Sequence, residues 1–366
     1  MKIQSSTKAN REFFPALHGL RGIAVLYVVV SHLGIRGLFL FPILHNAIGK
    51  VGVWIFFVLS AFLLTTHLYY DIEISSSKFF SILQYTVHRV FRIYPLFLCV
   101  LILHAIRGDI SILGIFGHLL LIRGREELWA IPVEFQYYFI MPVIVISTIY
   151  ISQKYANLLL MTSLIVTLLY GMMHPEEVFS NGLNIIPKLP PFLLGSMLSL
   201  LFYKKDISSL GSRFRFISLI PIISLTMLII TTVFFRRISL GTLPNFYAPW
   251  LSGAIGISVA GLIYSALLLP SFSKFIGAKP LVFLGEISFS IYLLHFFIID
   301  IVKNIPNLST TAQAWISLGL SIICAYISYR VIEKPGISLG KKIAQSLQKT
   351  DLIRQTHSTV NNDERA

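Results

Sequence analysis

Apolar runs of about 18 to 22 residues recur along the whole chain, each long enough to cross a hydrocarbon core of about 30 Å. Their positions predict ten spans, near 17–35, 50–70, 93–107, 128–152, 156–173, 190–203, 216–235, 248–269, 281–300 and 311–332. A transmembrane β-barrel would instead show short alternating segments. The expected fold is therefore all-α: a polytopic integral membrane protein of about ten transmembrane helices, with both termini cytoplasmic. Residues 1–16 read as a cytoplasmic N-terminal segment, 17–335 as one membrane domain, and 336–366 as a polar cytoplasmic tail expected to be disordered. The sixth span is short, and 108–127 has the character of a re-entrant segment. Arg21 leads the first apolar run and no small-residue cleavage site follows it, so the first span is expected to be retained. No internal repeat is visible, which disfavours folds built from duplicated transporter halves.

Composition agrees with this picture and charge refines it. Of 366 residues, 55% are hydrophobic and 13% charged, with a mean hydropathy of +0.77, far outside the soluble range. A formal net charge of +14 could in principle serve nucleic acid. Its placement argues otherwise: with the N-terminus inside, roughly 19 Lys and Arg fall in cytoplasmic segments and roughly 9 outside, the positive-inside distribution. The basic stretches "YKKDISSLGSRFRF" and "EKPGISLGKK" fall inside, and the acidic "HPEE" of His174–Glu177 falls outside. Cys99 and Cys324 both lie in expected spans and read as small apolar filler.

Ionisable residues within the apolar runs carry the chemistry. In "HGLRGIAVLYVVVSH", Arg21 and His32 are separated by three helical turns plus about 20°, so they share a face with a rise of about 16 Å between them. A charged group in the bilayer carries a penalty of about 2.5–3.5 kcal/mol or more, and so faces a cavity or a partner. The alternative reading has Arg21 snorkel to the headgroups and His32 simply end its span. Glu134, about 9 Å below the outer surface, and His295 in the ninth span fall at the depth of His32. These three could be a general base with its orienting partners, or a structural set. Arg89 and Arg92 fall at the depth of Arg21, and together the three guanidiniums suit a phosphate. An elongated donor with phosphate at its inner end fits, acyl-CoA among them, as do a phospholipid and a polyprenyl phosphate.

A family resemblance separates these donors. From Phe13 to Gly340 the chain resembles acyltransferase family 3, multi-span membrane enzymes that modify extracytoplasmic carbohydrate. Six motifs in order carry it: "ALHGLRGIAVLYVVVSHLG", "GVWIFFVLSAFLL", "HRVFRIYPLF", "LWAIPVEFQYYFIMP", "LGEISFSIYLLHFF" and "YRVIEKP". The resemblance implies Arg21 and His32 as its Arg/His motif, Arg89 and Arg92 as its arginine motif, and Glu134 as its acidic position. It implies acyl-CoA, most often acetyl-CoA, as co-substrate, with no tightly bound cofactor and no metal. The acceptor would be a hydroxyl of lipopolysaccharide, exopolysaccharide, peptidoglycan or a smaller glycoside, and the place the inner (cytoplasmic) membrane. Many relatives carry a further SGNH-type hydrolase domain, which this chain is expected to lack. Ala130 stands where many relatives place Ser or Thr, so a hydroxyl that could orient Glu134 is missing.

On this reading Arg21, Arg89 and Arg92 hold the donor's phosphates, while His32 is the general base assisted by Glu134. A transient acyl-His32 is the alternative route. His295, Trp54, Trp129 and Gln136 are candidates for the acceptor side or for support; Trp54 could equally be an interfacial aromatic. The rival from another class is a transporter or flippase whose buried His and Glu relay protons.

Overall fold

The computed structural model describes residues 14–40, 48–75, 77–151, 153–204 and 217–363. Most of the N-terminal segment and most of "YKKDISSLGSRFRF" lie outside the described residues. Among the described residues all regular structure is helical. Eight helices are long and apolar enough to cross a membrane; a bent pair would make a ninth, and Ile186–Phe202 is a shorter apolar helix. Each of the ten expected spans thus has a helix at its place, but the sixth is short and the ninth is broken.

Helix α1 (Pro15–Ile35) starts with proline in its first turn, where a missing N–H is harmless. It ends on Gly37, which takes φ +80°. The Leu38 N–H reaches the Leu33 carbonyl at 2.9 Å and the Gly37 N–H reaches Gly34 at 3.0 Å, closing the helix in a Schellman motif. His32 is therefore held in the last turn of α1, with Arg21 three turns below. Helix α2 (Ile48–Ile74) returns alongside α1, and α3 (Lys78–Ile106) follows.

Helix α3 begins well before the expected residue 93. Its first half carries Lys78, Gln84, His88, Arg89 and Arg92, which lowers hydropathy without weakening the helix. The stretch 108–127 forms a short helix, α4 (Ile112–Leu119), and a 3-10 turn, Glu126–Trp129, which feeds α5 (Ala130–Tyr150). After α5 come α6 (Gln153–Met173), α7 (Pro175–Phe179), α8 (Leu189–Lys204), α9 (Ile220–Ser239) and α10 (Ala248–Leu268). Two short helices, α11 (Pro270–Ile276) and α12 (Lys279–Glu286), lead into α13 (Ser288–Lys303), with a bend of 73° between α12 and α13.

Helix α14 (Thr310–Ser328) passes through a π-helical turn, Tyr329–Glu333, into α15 (Lys334–Asp363). The segment expected to be a disordered tail is therefore helical to Asp363. Gly336, Gly340 and Ala344 recur every fourth residue and are buried, so that α15 lies close against α3 near Phe91. Gln84 Nε2 also donates to the Ala344 carbonyl at 3.3 Å.

The buried core runs through α1, α2, α3, α5, α8 and α10. A second cluster joins Val25, Val29 and Leu33 of α1 to Ile287, Ile291 and Ile299 at α13. Outward positions of α6 and α9, such as Leu158, Leu159, Ile222, Ile223, Ile229 and Ile230, are exposed and apolar, the surface a lipid environment requires. Cys99 and Cys324 are free thiols.

The closest approach fixes the bend. A Cβ on Gly285 would lie 1.8 Å from the His18 carbonyl oxygen and 2.6 Å from its carbon. Backbone cannot yield as a flexible side chain does. Gly285→Ala is expected to destabilise the protein by about 1–3 kcal/mol, read as a lowered Tm in detergent. An unchanged Tm would mean that the seating of α12 on α1 contributes little to stability.

Candidate active site

The close seating of α1 on α12 places Arg21 against the bend. Its Nη2 and Nε lie 3.3 and 3.4 Å from Ser288 Oγ, the first residue of α13. Arg21 and Glu134 line one cavity with Ser60, Ala130, Ser288 and Tyr292. Arg89 and Arg92 project from α3 into the same charged neighbourhood. Glu134 acts electrostatically on Arg21 and Arg89, and Arg92 acts on both of those arginines. The structure thus gathers Arg21, Arg89 and Arg92 in one cluster with Glu134.

A second carboxylate completes this cluster. Glu333, on the π-helical turn, is 1% exposed and accepts from Ser290 Oγ at 2.8 Å. Its field acts on Arg21, and Arg92 acts on it in turn. Glu333 Oε1, Arg89 Nε and the Tyr85 hydroxyl are buried with no hydrogen-bond partner among the described residues. Buried polar atoms without partners are costly, and here they surround three guanidiniums, which suits an anionic polar ligand. The hydroxyl that Ala130 does not supply comes instead from Tyr138, one turn after Glu134, which hydrogen-bonds its carboxylate.

About 16 Å up α1, His32 meets a different partner. Its Nδ1 lies 2.7 Å from Nε2 of His295, whose own Nδ1 lies 3.0 Å from the Ile291 carbonyl. A carbonyl can only accept, so His295 carries its proton on Nδ1 and presents an unprotonated Nε2. His32 must then donate from Nδ1, which leaves its Nε2 with a free lone pair. The two imidazoles lie edge to edge, 16° from parallel with centres 4.9 Å apart, and Phe296 packs on His32 with its ring centre 4.4 Å away. Gly49 packs beside Nε2: a Cβ there would lie 3.5 Å from it and 3.1 Å from Ser31 Oγ. The expected pairing of His32 with Glu134 is thus replaced by His32 with His295. Glu134 instead keeps company with Arg21 and Arg89, and Tyr292, one turn before His295, lines its cavity.

Above His32 the elements converge on a polar mouth. Arg36 pairs with Asp300 at 2.9 Å and Glu126 at 3.6 Å, and Arg107 reaches Asp300 at 3.2 Å. Asp109 lies outside the membrane helices. Burial pushes its carboxyl up, but hydrogen bonds from His104 and Arg107 outweigh this and hold it below its ordinary value. Lys50, at the start of α2, lies 4.7 Å from the centre of the Trp129 ring, and Lys188 lies 5.5 Å from it.

Lys188 is 1% exposed. Its Nζ donates to the carbonyls of Gly182, Asn184 and Glu177 at 2.8, 3.0 and 3.4 Å, drawing the end of α7 and the loop after it around itself. Gln136 Nε2 ties α5 to the same loop through the Leu183 carbonyl at 2.8 Å. Lys188→Met would strip a donor from three carbonyls. It is expected to destabilise the protein by about 1–3 kcal/mol and to open the loop to protease, while cleavage at wild-type rate would show that the loop holds itself.

Of the candidate residues, only Trp54 lies apart from a polar site. It is fully buried, edge-on to Phe235 at 4.9 Å. It is therefore packed in the core and is not an interfacial anchor. Sequence reasoning missed Glu333, Lys50 and Lys188. Glu333 stands in a quoted motif, at the end of an apolar run. The two lysines had a signal of their own: both fall on the expected outer side, against the positive-inside tendency.

The family model for the acyltransferase domain matches residues 14–330. The chain is 28% identical to the putative peptidoglycan O-acetyltransferase YrhL of Bacillus subtilis, over 89% of its own length and 55% of that relative's. It is 26% identical to the O-acetyltransferase OatA of Staphylococcus aureus, over 92% of its own length and 59% of that relative's. The chain thus spans under two thirds of the length of these relatives. No solved structure matches it.

Proposed function

Because this chain belongs to acyltransferase family 3, we propose that it is an inner-membrane O-acetyltransferase, moving an acetyl group from cytoplasmic acetyl-CoA to a hydroxyl of an exported carbohydrate. The observation that carries the reading is the hydrogen-bonded chain from His32 through His295 to the Ile291 carbonyl. It leaves one imidazole nitrogen unprotonated at the far end of the helix that bears Arg21.

The guanidiniums of Arg21, Arg89 and Arg92 receive the phosphates of the donor, with Glu134 and Glu333 spacing them. The pantetheine arm then extends the roughly 16 Å along α1 and brings the thioester to His32. Nε2 of His32 takes the proton of the acceptor hydroxyl as its oxygen attacks the thioester carbonyl. A C–O bond forms, the C–S bond breaks, and the departing thiolate takes the proton from the imidazolium. His295 holds the reactive tautomer and stabilises the imidazolium through its unprotonated Nε2. Glu134 supports the donor end of the path. The name of the Bacillus relative makes peptidoglycan the first acceptor to try.

Proteoliposomes loaded with acetyl-labelled acetyl-CoA, with peptidoglycan fragments outside, provide the test. Label is expected on the glycan as an alkali-labile ester. A protein that neither binds nor turns over acetyl-CoA would overturn the donor assignment.

A further inference from the structure

We propose that Lys50, backed by Lys188 and floored by Trp129, forms an anion-binding subsite beside His32 that takes a carboxylate or phosphate carried by the carbohydrate acceptor. The inference rests on the reading of His32 as the acceptor-side base.

The argument begins with donors. An ammonium has three N–H groups. Lys188 uses its set on three backbone carbonyls, one in α7 and two in the loop after it. Lys50 uses two, on the Ser180 carbonyl at 3.2 Å and on Asn181 Oδ1 at 2.6 Å. Among the described residues one donor of Lys50 is left over.

Charge points the same way. Neither lysine forms an ion pair among the described residues, because the acids around the mouth are otherwise engaged. Glu126 pairs with Arg36 and Arg125, and Asp300 with Arg36 and Arg107. The Glu177 carboxylate accepts from Asn184 Nδ2 at 2.5 Å and from the Tyr170 hydroxyl. Lys188 nonetheless has the Glu177 carboxylate nearby as a counter-charge, whereas the Lys50 ammonium meets only neutral oxygens beside the indole ring that both lysines flank. The ring's negative face helps each of them but neutralises neither. An anionic ligand would.

Position links this to the chemistry. Lys50 follows Gly49, the residue that packs next to His32 Nε2, and Lys50 and Arg36 both exert their fields on His32. An acceptor anchored through an anionic group at Lys50 would hold a neighbouring hydroxyl near the free imidazole nitrogen. Such anchoring lowers the entropic barrier to attack.

The test is equilibrium binding to the full-length protein in detergent, without donor, using three probes: trigalacturonate, neutral galactotriose, and galactotriose 6-phosphate. At least one anionic probe is expected to bind about tenfold or more tightly than the neutral one, and the tighter of the two anionic probes identifies the group recognised. Lys50→Gln should remove that preference while leaving neutral binding as it was, and Lys50→Arg should keep it. Asn181→Ala, which loosens the loop but spares the ammonium, should also keep it. Equal affinity for all three probes overturns the subsite. So does an equal loss of all binding in Lys50→Gln and Asn181→Ala, which would make Lys50 a loop clamp. A charge preference in a protein that transfers no acetyl group supports the subsite and overturns the catalytic reading. Acetyl transfer without any charge preference does the reverse.

Discussion

His32→Gln is expected to lower acetyl transfer by about 100- to 10,000-fold, the range attributable to general base catalysis, while leaving acetyl-CoA binding within a factor of about three. The choice of glutamine matters. Its amide N–H can still donate toward His295 Nε2, which lies 2.7 Å from the imidazole nitrogen in the wild type, so the buried partner is not orphaned and the helix pair keeps its contact. What glutamine cannot do is accept a proton near neutral pH. The loss should therefore fall on kcat, with a wild-type Tm. His295→Gln is expected to lose less, about 10- to 100-fold, as when the support of a reactive group is disturbed. Its effect operates through the tautomer of His32 and not by touching substrate. A His32→Gln enzyme within threefold of wild-type turnover would remove His32 from the chemistry. Equal losses of donor binding and turnover would make it structural.

What the sequence disclosed follows from the range of the interactions concerned. Arg21 and His32 lie on one helix, so helical geometry alone could relate them. Depth counting placed His295 level with His32, and the two rings do meet. Depth could not say which group turns toward which. Glu134 was expected at the same level, but its neighbours are chosen by how α5 rotates against α1 and α3, a property of packing that one helix does not carry. Glu333 is a sharper case. Its role depends on Ser290, 43 residues away, and on a π-helical turn that re-aims it inward; such turns are frequent at functional sites but have no dependable sequence signal. The polar first half of α3 hid a helix because hydropathy was the measure, whereas its stabilisation comes from the glycine-lined face of α15. Trp54 misled for a related reason. Composition places tryptophan at membrane interfaces, yet a position facing α9 is filled by whatever packs against Phe235.

Arg21→Ala is expected to weaken acetyl-CoA binding by about 100-fold, equivalent to roughly 2.7 kcal/mol and within the range of a charge-assisted contact to a phosphate. The cluster's charge explains both this loss and how to isolate it. Arg21, Arg89 and Arg92 against Glu134 and Glu333 leave a net charge of +1. Deleting Arg21 takes the cluster to zero and leaves Glu134 with less compensation than before. Breaking a buried charge arrangement from one side is costly, about 3–5 kcal/mol where the partner is fully orphaned, so the variant should also lose thermal stability. Arg21→Ala/Glu134→Gln restores the net charge to +1 and should recover most of that stability. It should not recover donor affinity, because the guanidinium that would meet the phosphate is still missing. Arg21→Lys should fall between, since one ammonium cannot reproduce two N–H groups directed at Ser288 Oγ together with a fork toward phosphate. The double variant thus separates two roles that a single substitution confounds. If it regains donor affinity along with stability, Arg21 serves only to neutralise Glu134, and the phosphate contact belongs to Arg89 and Arg92. If Arg21→Ala binds acetyl-CoA within threefold of wild type, the inner cluster is not the donor site.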